Sequence, residues 1–237
     1  TFCSSSNKGY FTLYFLHQIL FFKDNVSLRI IHFYFFMIRY ISIILFGFYI
    51  TQNFGQKSLV SIESLSTEFE FEIRYATPQN FMGETLYPCA KCVLQPEVAK
   101  ALTLANDYFC EKGYKIKIYD CYRPLDIQKM MWKKVPNAAY VANPYGKGSI
   151  HNRGAAVDIT LVTLEGCYVE MGSDYDFFGK EAHIDNYNFS KEILNNRKLL
   201  IDGMKQFGFQ TIRTEWWHYS FQKNYLFPIL NEPLPCD

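Results

Sequence analysis

The sequence is short of the features that most quickly name a function. It has almost no net charge, +1 from 24 basic and 23 acidic side chains in 237 residues. It therefore lacks the basic excess with which a protein binds nucleic acid. No tract repeats at a fixed period and none is of low complexity, which sets aside solenoids and propellers. Cys-x-x-Cys occurs once, at Cys89 and Cys92, with no second pair to complete a four-cysteine metal site. The apolar run at Ile41–Ile50, broken only by Ser42 and Gly47, is about ten residues, about half of what a bilayer span needs. Histidine is scarce as well. Of the five, only His151, His183 and His218 lie beyond residue 57.

Charge is also missing from the first quarter of the chain. Residues 1–56 carry Lys8, Lys23, Asp24, Arg29 and Arg39 as their only charges and hold half of the phenylalanines. That leaves 20 basic and 22 acidic side chains (24 less 4, 23 less 1) in 57–237, an ordinary balance for one domain with a sizeable core. Residue 1 is Thr and the first Met is Met37. From there Arg39 supplies a positive start, Ile41–Ile50 a short apolar run and 51–56 a polar exit, the layout of a secretory signal. The division read from this is 1–36 as an upstream segment that need not be translated, 37–56 as signal peptide and 57–237 as a single catalytic domain. The alternative is an uncleaved anchor over Ile30–Ile50, which would place Arg39 in the membrane at a cost of about 2.5–3.5 kcal/mol. The expected location is the periplasm after export, or the inner membrane if the anchor is kept. Contact with a membrane is expected only through that segment. No cysteine stands directly after the apolar run, in 51–58, which argues against a lipoprotein.

What is present gathers around Ser149-Ile150-His151-Asn152-Arg153-Gly154-Ala155-Ala156-Val157-Asp158-Ile159-Thr160-Leu161. A histidine and a carboxylate stand seven residues apart, with Gly154 permitting a tight turn between them and Val157–Leu161 reading as a buried strand. Sixty residues on, Glu215-Trp216-Trp217-His218 brings a second histidine with a glutamate three places before it. Two imidazoles and a carboxylate make a zinc set with an open position for water, and a fourth, unliganded carboxylate can take that water's proton.

The remaining elements are read from periodicity. Phe69–Tyr75 alternates apolar and acidic residues as an edge strand does. Pro96 opens a helix with Val98, Leu102, Ala105 and Phe109 on one face, closed by Gly113. Tyr114–Tyr119 is a strand, with Asp120-Cys121-Tyr122-Arg123-Pro124 at its end, and Leu125–Lys134 is a helix. Residues 136–150 form a loop, and Gly166–Met171 suggests the return strand of a hairpin. Ser190 caps a helix running to Phe207, with Gly208 as terminator. Phe209–Phe221 is aromatic and β-branched, so Glu215 and His218 sit on or at the end of a strand. Residues three apart on a strand face opposite sides, so a bulge or strand end must re-aim one of them. The class is α+β: a central antiparallel sheet flanked by helices, with the zinc site at the sheet.

With these residues assembled, the chain resembles the D-alanyl-D-alanine dipeptidase family of the VanX type, within the larger group of zinc D,D-peptidases. The matching pieces are Tyr75-Ala76-Thr77-x-x-Asn80-Phe81-x-Gly83, Asp120-x-Tyr122-Arg123-Pro124, and Ser149-x-His151-x-x-Gly154-x-Ala156-x-Asp158. Met171-Gly172-x-x-Tyr175-Asp176-Phe177 follows, and Asn196-Arg197 leads into Glu215-Trp216-Trp217-His218. They keep the family's order over about residues 68–225; the tail beyond does not match clearly. The resemblance implies one zinc per chain on His151, Asp158 and His218. It makes Glu215 the general base and then acid, and Arg123 the stabiliser of the oxyanion. It sets Asp176 and Tyr75 at the substrate's ammonium and Ser149 at its carboxylate. The expected partner is a small dipeptide.

Two further readings stay open. The same zinc site could serve a D,D-carboxypeptidase or endopeptidase acting on longer wall peptides, or the fold could bind a wall fragment without cleaving it. Asp176 favours the free dipeptide, and the presence of both Glu215 and Arg123 favours catalysis. Cysteine pairing cannot be read from the spacing. Cys121 is expected to be a buried packing residue rather than a nucleophile, and His183 a surface loop residue.

Overall fold

The computed structural model describes residues 33, 36–40, 58–66 and 68–236. The chain divides into two compact units, Thr1–Gln56 and Lys57–Asp237. The second holds both sheets and every candidate site residue. The signal reading of 37–56 lies almost wholly outside the described residues. Among those described, no helix is long and apolar enough to cross a membrane.

The strands are β1 (Val60–Ser61), β2 (Glu70–Phe71), β3 (Val93–Leu94), β4 (Tyr114–Asp120), β5 (Ala156–Thr163), β6 (Phe209–Ile212) and β7 (Glu215–Phe221). Within Lys57–Asp237 the α-helices among the described residues are α1 (Pro96–Cys110), α2 (Leu125–Lys134) and α3 (Lys191–Gln206). Five strands form the main sheet in the order β2-β4-β5-β7-β6, and β1 pairs with β3 in a separate ribbon. All neighbours in the main sheet are antiparallel except the edge pair β2 and β4. This is the expected α+β sheet, with one parallel edge added.

The sheet's centre is apolar because its middle strand is buried on both faces: Ala156 to Val162 in β5 are all inside. Helix α1 brings the expected stripe, with Val98, Leu102, Ala105 and Phe109 each fully buried. Burying a side chain of the Leu or Phe size contributes about 1.5–3 kcal/mol. Pro96 sits in the first turn of α1, where its missing N–H costs nothing. On α3, the Ser190 side chain accepts from the Ile193 amide and so caps the helix as expected.

Three expectations need correction. The strand over Phe69–Tyr75 shrinks to Glu70–Phe71 and gives way to a 3-10 turn at Arg74–Ala76. The Tyr75 carbonyl there accepts from the amides of Leu86 and Tyr87, both at 2.9 Å, so the chain turns inward instead of continuing the ladder. The alternation still chose the right residues, since Phe69, Ile73 and Tyr75 are buried. The return strand at Gly166–Met171 is a single bridge, Val162 to Tyr168. Phe209–Phe221 is a hairpin, β6 and β7, that turns at Arg213 and Thr214.

Two disulfides cross-link this unit, Cys89 to Cys236 and Cys92 to Cys121. Each half of the Cys-x-x-Cys pair therefore goes to a different distant partner. Cys121 is buried as expected, and its bond to Cys92 removes the thiol that a nucleophile would need.

Candidate metal centre and cleft

His151 opens a one-turn 3-10 helix that ends at Gly154, in the left-handed region at φ 62°. A β-carbon on Gly154 would come within 2.7 Å of the Leu59 side chain, so only glycine fits the turn. The turn delivers the chain into β5, where Asp158 pairs directly across from His218 of β7. Asp158 Oδ1 stands 3.2 Å from His151 Nε2 and 3.0 Å from His218 Nδ1, and the two ring nitrogens are 3.1 Å apart. All three side chains are buried.

The other ring atoms settle which lone pairs point inward. His151 Nδ1 lies 2.7 Å from the Cys121 carbonyl, which can only accept, so Nδ1 carries the proton and Nε2 is bare. His218 Nε2 contacts the Ser220 hydroxyl at 2.9 Å, leaving Nδ1 facing the group. Tyr175 donates its hydroxyl to Asp158 Oδ2 at 3.1 Å. Partners on the far side of each ligand are what orient metal-binding imidazoles and carboxylates. Burial alone would raise the Asp158 carboxyl, but His151 and His218 hold it far below the usual carboxylate range. Two nitrogens and an oxygen at about 2.0–2.2 Å from a tetrahedral ion stand about 3.3–3.6 Å apart, only slightly wider than this triangle. The donor set and its spacing fit a first-row cation of zinc's size.

Glu215 is the first residue of β7, opposite Ile212, where the register of the hairpin shifts. The strand-end irregularity that two residues three apart require is present. Its Oε2 lies 4.0 Å from His218 Nδ1, beside the triangle but not in it. Burial pushes the carboxyl up to about 7, with the charges of Asp158 and Asp176 adding and His218 and Arg123 opposing.

Arg123 follows the end of β4. Its Nε and Nη2 donate to Asp120 Oδ2 at 3.1 and 2.6 Å, and Nη1 donates to Gln128 Oε1 at 2.8 Å. Nη2 also lies 3.9 Å from Asp158 Oδ2. A guanidinium held on two sides loses little further freedom when it meets a substrate. Asp120 is fully buried, yet its other oxygen accepts from the Tyr87 hydroxyl at 2.7 Å and the Cys121 amide at 2.9 Å.

At the other end of the group, Tyr75 donates to Asp176 Oδ2 at 2.8 Å. Asp176 is the one described non-glycine residue with a positive φ, 58°. Burial raises its carboxyl to about 8, the Asp158 charge adding to the effect and the Tyr75 hydroxyl opposing it. Ser149 Oγ accepts from the His151 amide at 3.3 Å. It thus supports the turn, and a hydroxyl that accepts can still donate to a carboxylate. All eight residues singled out from the sequence line one cleft of about 230 Å³, below the about 300–1,000 Å³ of sites for drug-sized ligands. His183 stands outside that lining, its Nδ1 3.2 Å from Arg213 Nη1.

The sequence reading gives no role to Asp120, Gln128 or Tyr175. Asp120 and Tyr175 lie within the quoted motifs, three residues before Arg123 and one before Asp176. A carboxylate placed to hold an arginine was legible there. Gln128 left no signal beyond a polar residue on the inner face of α2.

Against known proteins, residues 55–236 match the peptidase M15 family model described as D-ala-D-ala dipeptidase. The chain is similar to a D-alanyl-D-alanine dipeptidase of Escherichia coli, 32% identical over 178 residues that cover 75% of this chain and 92% of that protein. It is similar to another of the same name from Enterococcus faecium, 31% identical over 169 residues, 63% of this chain and 84% of that one. Among solved structures, it partly overlays a zinc-bound mutant of the vancomycin resistance D,D-pentapeptidase VanY. That match is 16% identical with a TM-score of 0.36, covering 58% of this chain and 77% of that one. With the family model matched over most of its length, this chain belongs to the D-Ala-D-Ala dipeptidase family of peptidases.

Proposed function

We propose that the chain hydrolyses D-Ala-D-Ala using one zinc ion held by His151, Asp158 and His218. The observation that carries this is the convergence of two imidazole nitrogens and a carboxylate oxygen at 3.0–3.2 Å, with Glu215 beside them and Arg123 behind. When bound there, zinc supplies Lewis acidity and brings the pKa of water to about 7. Glu215 accepts the proton of the attacking water and passes it to the leaving amine. A carboxyl raised to about 7 suits both transfers. Arg123, fixed by Asp120 and Gln128, meets the charge that develops on the carbonyl oxygen.

Asp176 and Tyr75 take the substrate's ammonium and Ser149 its carboxylate. An arriving ammonium favours the ionised form of Asp176, so binding itself draws a proton off this carboxyl. That dependence, together with the small cleft, favours the free dipeptide over a longer wall peptide. We also read the protein as exported to act in cell-wall peptide metabolism. Its two disulfides support an oxidising compartment.

The experiment is twofold. Metal analysis of purified protein should find one zinc per chain, lost in the His151→Ala, His218→Ala double variant. Hydrolysis of D-Ala-D-Ala should exceed that of a pentapeptide ending in the same dipeptide. Equal or faster cleavage of the pentapeptide would favour a carboxypeptidase, and zinc retained by the double variant would remove the proposed centre. N-terminal sequencing of the mature protein tests export; an uncut Met37 terminus in the membrane fraction would favour the anchor.

A further inference from the structure

Arg197 of α3 is a buried cation, 4% exposed, and no carboxylate pairs with it among the described residues. Its guanidinium instead donates to three backbone carbonyls. Nε reaches Met171 O at 2.6 Å, Nη2 reaches Glu181 O at 2.6 Å and Nη1 reaches His183 O at 3.0 Å. The group also lies over the Phe189 ring at 4.5 Å. Burying a charge without an anion is costly unless its donors are satisfied by other means, and here the carbonyls satisfy them.

The Met171 and His183 carbonyls bracket the segment 172–182, and the Glu181 carbonyl lies just inside its far end. The segment contains no α-helix or strand and only a 3-10 turn at that far end. That segment carries Tyr175, whose hydroxyl holds Asp158, and Asp176, which faces the cleft. Its near end leaves through Gly172, at φ 84°, where a β-carbon would come within 2.7 Å of Phe189. Asp176 itself sits at φ 58°. A non-glycine residue stays in that region only where its surroundings over-determine it. Inside the segment, the supports include the Tyr75 and Tyr175 hydroxyls, the Trp216 Nε1 donor to Ser173 Oγ at 2.9 Å, the Asn186 Nδ2 donor to Lys180 O at 3.1 Å and the packing of the Phe178 ring on Phe81 and Tyr140. The ends are closed by Arg197.

We propose that Arg197 is a positioning residue for substrate recognition, clamping both ends of 172–182 so that Asp176 presents its carboxylate to the substrate's ammonium. The inference rests on the reading that Asp176 receives that ammonium. One planar fork serves carbonyls ten and twelve residues apart in sequence. A lysine ammonium is a point donor and cannot span them, so Arg197→Lys keeps the charge and loses the clamp.

The test is a double-mutant cycle on the zinc-loaded protein: wild type, Arg197→Lys, Asp176→Ala and both together. Arg197→Lys should raise KM for D-Ala-D-Ala by about 10-fold or more with kcat within about 3-fold. In the Asp176→Ala background the same change should move KM by less than about 3-fold, because the residue it positions is gone. Hydrogen exchange should show amides of 172–182 losing protection in Arg197→Lys while those of β5 and β7 keep theirs. A fall in kcat at constant KM, or KM effects that multiply fully in the double variant, would overturn the assignment. Should the wild type fail to cleave the dipeptide, the functional reading falls. Exchange then decides the clamp alone, and protection lost throughout the domain or nowhere would refute it. Arg197→Ala is a harsher variant; where it does not fold, Arg197→Lys carries the test.

Discussion

The ladder that carries the candidate metal triangle and the segment that carries Asp176 are built in opposite ways. His218 and Asp158 sit across from each other in paired strands, and His151 is one glycine turn upstream. Their positions follow from local backbone geometry and a register that a single slip would destroy. Segment 172–182 has no ladder. Asp176 is held by side chains from far away in sequence, Tyr75 at 101 residues and Arg197 through the carbonyls. The proposed function puts chemistry on the laddered part, and recognition on the part that can be tuned by single contacts. Variants of the ladder and its neighbours should therefore fall on kcat, and variants of the segment on KM.

The largest effect expected tests the first half. Glu215→Gln changes little volume and leaves the three ligands in place, so zinc content should not change. The amide cannot accept the water's proton, and kcat should fall by about 10²–10⁴-fold. A zinc-replete variant that turns over at near the wild-type rate would end the mechanism. Arg123→Ala should come next, with about a 10²-fold loss in kcat, the scale of removing one oxyanion donor. It also leaves Asp120 buried with one fewer partner, so a thermal melt should accompany the rate. A loss confined to KM would move Arg123 from chemistry to binding and blur the contrast between the two regions.

The same contrast explains how far the sequence could be read. The convergence of His151, Asp158, Glu215 and His218 was legible because strand and turn signals place them locally and a metal-binding set draws on few residue types. So were α1, α2 and α3, whose boundaries are marked by Pro96, Pro124, Ser190 and the closing glycines. The strand over Phe69–Tyr75 was overread because its alternation reports burial, and the Tyr75 carbonyl is claimed by Leu86 and Tyr87 instead of a ladder. The hairpin at Phe209–Phe221 was missed because Arg213 and Thr214 carry no glycine or asparagine turn signal. Cysteine pairing joins residues distant in sequence, which no local pattern encodes; of the two holders of Arg123, only Asp120 was within reach of a motif reading, and Gln128 five residues on was not. Asp176 could be named from its motif, but its left-handed backbone and its clamp could not.

On the recognition side the expected effects are smaller. Asp176→Ala should raise KM for D-Ala-D-Ala by about 10-fold, with kcat changed by less. An N-acylated analogue has no ammonium to lose, so its KM should barely move. If both substrates weaken equally, Asp176 holds the cleft's shape and not the ammonium.

The last effect is on stability and separates Asp176 from the ladder without any turnover. In the folded, ligand-free protein burial raises its carboxyl to about 8, against about 3.9 in an unfolded chain. Between those values the native state holds a proton that the unfolded state has released. Stability rises with pH only where the unfolded state binds more protons, so here the sign is reversed. The contribution is fully present below about 4, falls as the pH rises and is gone above about 8. Each tenfold difference in proton affinity is worth about 1.4 kcal/mol, or about 3–6 °C of melting temperature for a domain of this size. The side chain's partial exposure will trim the total. Asp176→Asn cannot titrate and still accepts from Tyr75. Melting curves of both proteins from pH 5 to 8.5 should therefore converge in slope above pH 8 and diverge below it, the wild type gaining stability relative to Asp176→Asn as the pH drops. Parallel curves across the whole range would mean that Asp176 is already ionised at neutral pH in the free protein. The arriving ammonium would then release no proton, and recognition would not depend on pH in the way proposed.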